Sequence, residues 1–110
     1  MDQVIENIPV PGVHAAMVPA LRCALAVSPN STFDIYVDSV GQDEITRAII
    51  ERRYSFPPGF ALLPALVKPR GRVLDLGAHI GTFSLFAAAL GHQLISVEAA
   101  PLNAALLGRS

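Results

Sequence analysis

Two short apolar runs, Arg72-Val73-Leu74-Asp75-Leu76 and Gln93 to Val97, flank a segment that carries Gly77 and Gly81 near its start and Gly91 at its end. No other feature of the 110-residue chain constrains its fold as much. Neither run alternates apolar with polar residues as a half-exposed strand would, so both read as parallel strands covered on two faces. Between them, Thr82 to Leu90 reads as an apolar helix stopped by Gly91. Parallel strands need a crossover, and this helix supplies it, giving a right-handed βαβ unit. Pro101 suits the first turn of a further helix running towards Gly108. Strand, helix, strand, helix with short connections places the chain in the α/β class.

The preceding residues divide at two turn clusters, Ser28-Pro29-Asn30-Ser31 and Lys68-Pro69-Arg70-Gly71. The expected organisation is a helical segment over 1–30, a strand and helices over 31–70, and the βαβ portion over 71–110. Residues 13–27 are expected to form a short packing helix that Pro19 starts or kinks. The apolar stretch 8–27 is interrupted by Pro9, Pro11, His14, Pro19 and Arg22, short of the roughly 18–20 clean residues of a membrane span. No basic residue precedes it, so a signal peptide is not expected either. Phe33 to Asp38 alternates, with Phe33, Ile35 and Val37 on one face, and reads as a half-buried strand. Residues 42–53 read as an amphipathic helix with Ile45 and Ile49 on one side; Asp43–Arg47 and Arg47–Glu51 stand at salt-bridge spacing. After Pro57-Pro58-Gly59, Phe60 to Val67 reads as a short apolar helix around Pro64. A mainly helical lead-in to the βαβ unit is therefore expected.

Eight basic residues against nine acidic ones form no stripe that would gather phosphates, so neither nucleic acid nor an anionic membrane is an expected partner. The single cysteine, Cys23, cannot form an internal disulfide; it reads as a buried thiol, and a reducing cytoplasm is the expected compartment. His14, His79 and His92 show no metal-ligand spacing with Cys23, and no metal is expected.

The turn after the first parallel strand carries the chemistry. Glycines there let the backbone approach a nucleoside cofactor, and the start of the following helix offers N–H groups to a carboxylate or phosphate. An acid at the tip of the second strand, Glu98, can accept from two ribose hydroxyls at once. Asp75 and Glu98 are 98 − 75 = 23 residues apart, near the roughly 20 that separate glycine turn and ribose acid in dinucleotide folds. A nicotinamide-dependent oxidoreductase half-site would share these elements, but its G-x-G-x-x-G fingerprint is missing: Asp75 stands where the first glycine should be. A carboxylate there repels a pyrophosphate and attracts the ammonium of a sulfonium cofactor.

Asp75-Leu76-Gly77-Ala78-His79-Ile80-Gly81, together with Glu98-Ala99-Ala100-Pro101-Leu102-Asn103, resembles the FkbM family of class I S-adenosylmethionine-dependent methyltransferases. That family carries a V-D-x-G-A-N-x-G segment and, at the second strand, I-x-F-E-P-x-P-x-N. The match covers residues 71–107, and 33–67 only in general plan. The resemblance implies the N-terminal βαβ portion of a Rossmann-like sheet. It also implies roles: Asp75 towards the methionine ammonium, Gly77, Ala78 and Gly81 leaving room for the methionine part and adenosine, and Glu98 on the ribose. His79 replaces the family's usual Asn, and Ala100 its first proline. The implied reaction is O-methylation of a hydroxyl on a sugar or secondary metabolite, so the partner would be a small-molecule or glycan substrate. No catalytic base is recognisable. The family's sheet has seven strands, so the rest of the catalytic domain is expected beyond Ser110, and the 110-residue chain is expected to be inactive alone. A non-catalytic, partner-binding remnant of the same fold is the alternative.

Overall fold

Alternation of buried and exposed side chains, rather than a helical period, governs the lead-in. The computed structural model describes residues 4–10, 12, 16–41 and 43–110. Three antiparallel strands, β1 (Val4–Pro9), β2 (Met17–Ser28) and β3 (Ser31–Asp38), form a sheet in that order. The helix expected over 13–27 is thereby overturned: 17–28 is the long central strand, and 13–15 lie outside the described residues. The cause is tertiary. Pro29-Asn30 closes a hairpin, and the register Leu21↔Val37, Cys23↔Ile35 and Leu25↔Phe33 joins the apolar faces of β2 and β3. Pro19 has no N–H to donate, and it is tolerated near the strand's start, where its carbonyl accepts from Ser39 N–H at 3.0 Å. The lead-in is an antiparallel sheet with short helices attached.

Helix α1 (Glu44–Ile50) follows. Asp43 caps it, its carboxylate accepting the Thr46 N–H at 2.8 Å and the Thr46 hydroxyl at 2.9 Å. On the charged face, Arg47 pairs with Glu44 at 3.5 Å and Arg53 with Glu51 at 2.7 Å. The apolar segment around Pro64 splits into a 3₁₀ turn, Pro58–Leu62, and the one-turn helix α2 (Leu63–Leu66). Here the chain's five phenylalanines gather with Tyr54. Phe56 is the hub, with ring centroids 6.0 Å from Phe33, 5.9 Å from Phe60 and 4.9 Å from Phe86.

The C-terminal part follows the expected order. Strands β4 (Arg72–Leu76) and β5 (Gln93–Val97) pair in parallel, and α3 (Thr82–Ala89) crosses between them. Helix α4 (Pro101–Arg109) closes the chain. The molecule is thus an α/β fold, with four α-helices among the described residues. One face of the parallel pair is half-buried: Leu94 packs beside the cluster of Leu63, Phe86 and Ala87. The other face presents Leu74, Leu76, Ile95 and Val97, each between 48% and 70% exposed, so the cover expected on both faces exists on one.

Helix α4 ties this unit to the antiparallel sheet. Ala105 and Leu106 enter the core with Ile8, Val18, Ala20, Ile35 and Val37. Arg109 reaches Glu6 at 2.8 Å and lies over the Tyr36 ring, while the Tyr36 hydroxyl donates to Glu6 at 2.6 Å. Among the described residues no helix is long and apolar enough to cross a membrane.

Candidate functional site

Strand β4 delivers Asp75 and then a turn that is fastened to the end of β5. The N–H groups of Gly77 and Ala78 both donate to the Val97 carbonyl, at 2.8 and 2.9 Å. To make that turn the backbone enters the left-handed region three times, at Gly77 (φ +74°), His79 (φ +57°) and Gly81 (φ +103°). The two glycines serve different ends. A Cβ at Gly77 would meet nothing within 4 Å, so this side of the turn is open to a ligand. A Cβ at Gly81 would collide with the Leu107 side chain of α4, so the space there is already taken by the protein. Ala78 and Ile80 likewise point into the fold, both nearly inaccessible. Helix α3 starts at Gly81 with no side-chain cap, which leaves the positive end of its dipole facing the turn.

Glu98 sits directly past β5. Its Oε1 accepts the His79 N–H at 2.6 Å, and its Oε2 accepts the Ala100 N–H at 3.0 Å. These two amides, Ala100 first and then His79, hold its carboxyl below the usual glutamate range, with a further contribution from the Asn103 side chain. Glu98 is therefore more than a solvated strand-end acid: it fastens the glycine turn to the start of α4. Each carboxylate oxygen can take a second donor, so a vicinal diol could still bind on its open side.

Asp75 points towards α3. Its Oδ2 accepts the Ser84 hydroxyl at 2.7 Å, and Ser84 Oγ lies 2.6 Å from Ser96 Oγ. The parallel register sets Asp75 opposite Ser96, two positions before Glu98, so both acids stand at one end of the strand pair. The six residues singled out by sequence, Asp75, Gly77, Ala78, His79, Gly81 and Glu98, are brought together here. Gly77 is the open point of the turn, Ala78 and Gly81 build the turn itself, Glu98 is tied to it through the His79 amide, and Asp75 stands at the end of β4 with its carboxylate on Ser84. Sequence reasoning missed Ser84 and Ser96. The available signals were a serine within the apolar run Phe83–Ala89, and Ser96 alternating with Leu94 on the helix-facing side of β5.

Elsewhere, a cavity of about 460 Å³ lies beside β2, lined by Arg22, Cys23, Leu25, Ile49, Arg52 and Phe56 among others, and does not include the turn. Cys23 is a buried thiol outside any disulfide; burial pushes its pKa up, with the Arg52 guanidinium acting the other way. His92 is buried, its Nδ1 accepting the Gly71 N–H at 3.1 Å, and His14 lies outside the described residues. Among the described residues no three His, Cys, Asp or Glu side chains cluster to hold a metal ion. No family model, no curated protein and no solved structure matches the chain.

Proposed function

We propose that the turn between β4 and α3 is the cofactor half-site of an S-adenosylmethionine-dependent methyltransferase of the kind the FkbM-like motifs suggest. One observation carries the reading. Asp75 and Glu98 stand at the same end of two adjacent parallel strands, on either side of a glycine turn whose Gly77 has open space where a side chain would be. A ligand lying across that turn meets a carboxylate at each end. One can hold an ammonium group, and the other can accept from a diol. The cofactor would supply an activated methyl group on a sulfonium, which a substrate hydroxyl attacks. The chain's residues act by binding and orientation: Asp75 by charge attraction to the amino-acid part, Glu98 by hydrogen bonds to the ribose, and Gly77 by admitting the ligand to the backbone. A methyl acceptor on a sugar or secondary metabolite, a cytoplasmic setting and completion of the site by further strands belong to the same proposal.

Isothermal titration calorimetry with S-adenosylhomocysteine and with NAD tests it. Binding of the former that Glu98→Ala or Asp75→Asn weakens at least tenfold is the expected result; a factor of ten corresponds to about 1.4 kcal/mol. Preference for NAD would move the reading to a nicotinamide half-site. The uncovered apolar face of Leu74, Leu76, Ile95 and Val97 favours a second reading, a scaffold that binds another polypeptide without catalysis. A folded protein that binds neither nucleotide would support that alternative.

A further inference from the structure

We infer that Ser84 and Ser96 are positioning residues for Asp75, and that they set the site's selectivity for ligands carrying an α-ammonium group; the inference rests on the cofactor reading above. Ser84 is almost wholly buried, at 3% exposed, inside a helix whose neighbouring side chains are Phe83, Leu85, Phe86 and Ala87. A hydroxyl in such a place costs stability unless it is bonded. A helical serine commonly satisfies itself on the carbonyl one turn back. Ser84 instead spans to Asp75 on β4 and Ser96 on β5.

The proton inventory gives this chain a direction. Ser84 has one proton, and a carboxylate is the stronger acceptor, so that proton goes to Asp75 Oδ2. The 2.6 Å contact with Ser96 then requires Ser96 to donate to Ser84. The order is Ser96 to Ser84 to Asp75, and it runs through β5, α3 and β4 in turn. Each bond polarises the next. The carboxylate is thereby locked about its side-chain torsions with Oδ2 committed, while Oδ1 has no partner among the described residues. A held carboxylate with one free oxygen binds a cationic donor without first losing rotamer freedom.

The test compares S-adenosylhomocysteine with its analogue lacking only the α-amino group, titrated into the wild-type chain, Ser84→Ala and Ser96→Ala. The expected result is that Ser84→Ala weakens the amino-bearing ligand roughly tenfold and leaves the deamino analogue within about twofold, so the ratio between the two collapses. Ser96→Ala should move the ratio in the same direction by less, since it removes only the second link. A purely structural role would weaken both ligands equally, and that result overturns the inference; an unchanged ratio with unchanged affinities does the same. Failure of the cofactor reading looks different, because the wild-type chain would then bind neither ligand. Circular dichroism and the melting temperature of each variant separate a lost fold from a lost contact.

Discussion

The two sheets of this molecule are built from similar residues and end in opposite states. In β3, Ile35 and Val37 are fully buried, whereas in β5, Ile95 and Val97 are 68% and 48% exposed. Strands β1 to β3 each pair with a sequence neighbour, and α1, α3 and α4 supply their cover. The parallel pair β4–β5 receives α3 on one face and nothing described on the other. The antiparallel sheet is covered by helices from both halves of the chain, while a parallel pair depends on further layers for its second face. The candidate site lies at the end of the less protected sheet. There backbone approach is open, and polar links such as the Glu98 amide bonds do the holding that a core does elsewhere.

The largest expected effect comes from making the same change in both sheets. Ile35→Ala should cost about 2–5 kcal/mol of unfolding free energy, since it opens a cavity among fully packed neighbours. Ile95→Ala should cost under about 1 kcal/mol, because most of that side chain already faces solvent. Urea denaturation of both variants measures the gap. Equal costs would mean that the exposed face of β5 is covered in solution, and the contrast between the sheets would go.

The next contrast lies within the glycine turn. Gly81→Ala meets a left-handed backbone penalty of about 1–2 kcal/mol and crowds Leu107, for a total of about 2–4 kcal/mol. Gly77→Ala carries only the backbone part, about 1–2 kcal/mol, since a Cβ there meets nothing. For ligand binding the order reverses: Gly77→Ala should weaken S-adenosylhomocysteine more, relative to its loss of stability, because the added methyl projects into the open side. Thermal melts and calorimetry on the two variants give both orders.

How much of this could be read from the sequence follows the same divide. The βαβ unit was legible because glycine and proline punctuate it and its pairing is dictated by a short crossover; β4, α3, β5 and α4 fall where Arg72–Leu76, Thr82–Leu90, Gln93–Val97 and Pro101 put them. β2 was not legible. Its sequence Met17 to Ser28 mixes alanine, leucine and arginine, good helix formers, and only pairing with β1 and β3 makes it a strand. Pro19 reinforced the error, since proline is rare in a central strand. At the site, the positions of Asp75, Gly77, Gly81 and Glu98 were legible from spacing. Their partners were not, because Ser84 and Ser96 meet Asp75 from two other elements, and no spacing rule encodes a side-chain contact across three elements.

The smallest expected effect compares one acid from each region. Glu6 and Glu98 both have carboxyls held below the usual glutamate range: Glu6 by the Tyr36 hydroxyl and then Arg109, Glu98 by the Ala100 and then the His79 amide. A depressed folded-state pKa means that the ionised form is favoured by folding. Its contribution is complete above the unfolded-state value and is lost as the pH falls through that value towards the folded one. Melting temperature should therefore decline on the acid side, from about pH 5 downward. Glu6→Gln and Glu98→Gln should each flatten part of that decline while lowering the plateau near neutrality. Both groups are open to solvent, so each change should be small, and salt should shrink the Glu6 effect, which includes the Arg109 ion pair, more than the Glu98 effect, which rests on backbone amides. Melting curves at low and high salt read this directly. Equal salt sensitivity would mean that Glu98 is held by charge rather than by the amides of the turn. The polar fastening ascribed to the site would then be no different in kind from the surface ion pair on the antiparallel sheet.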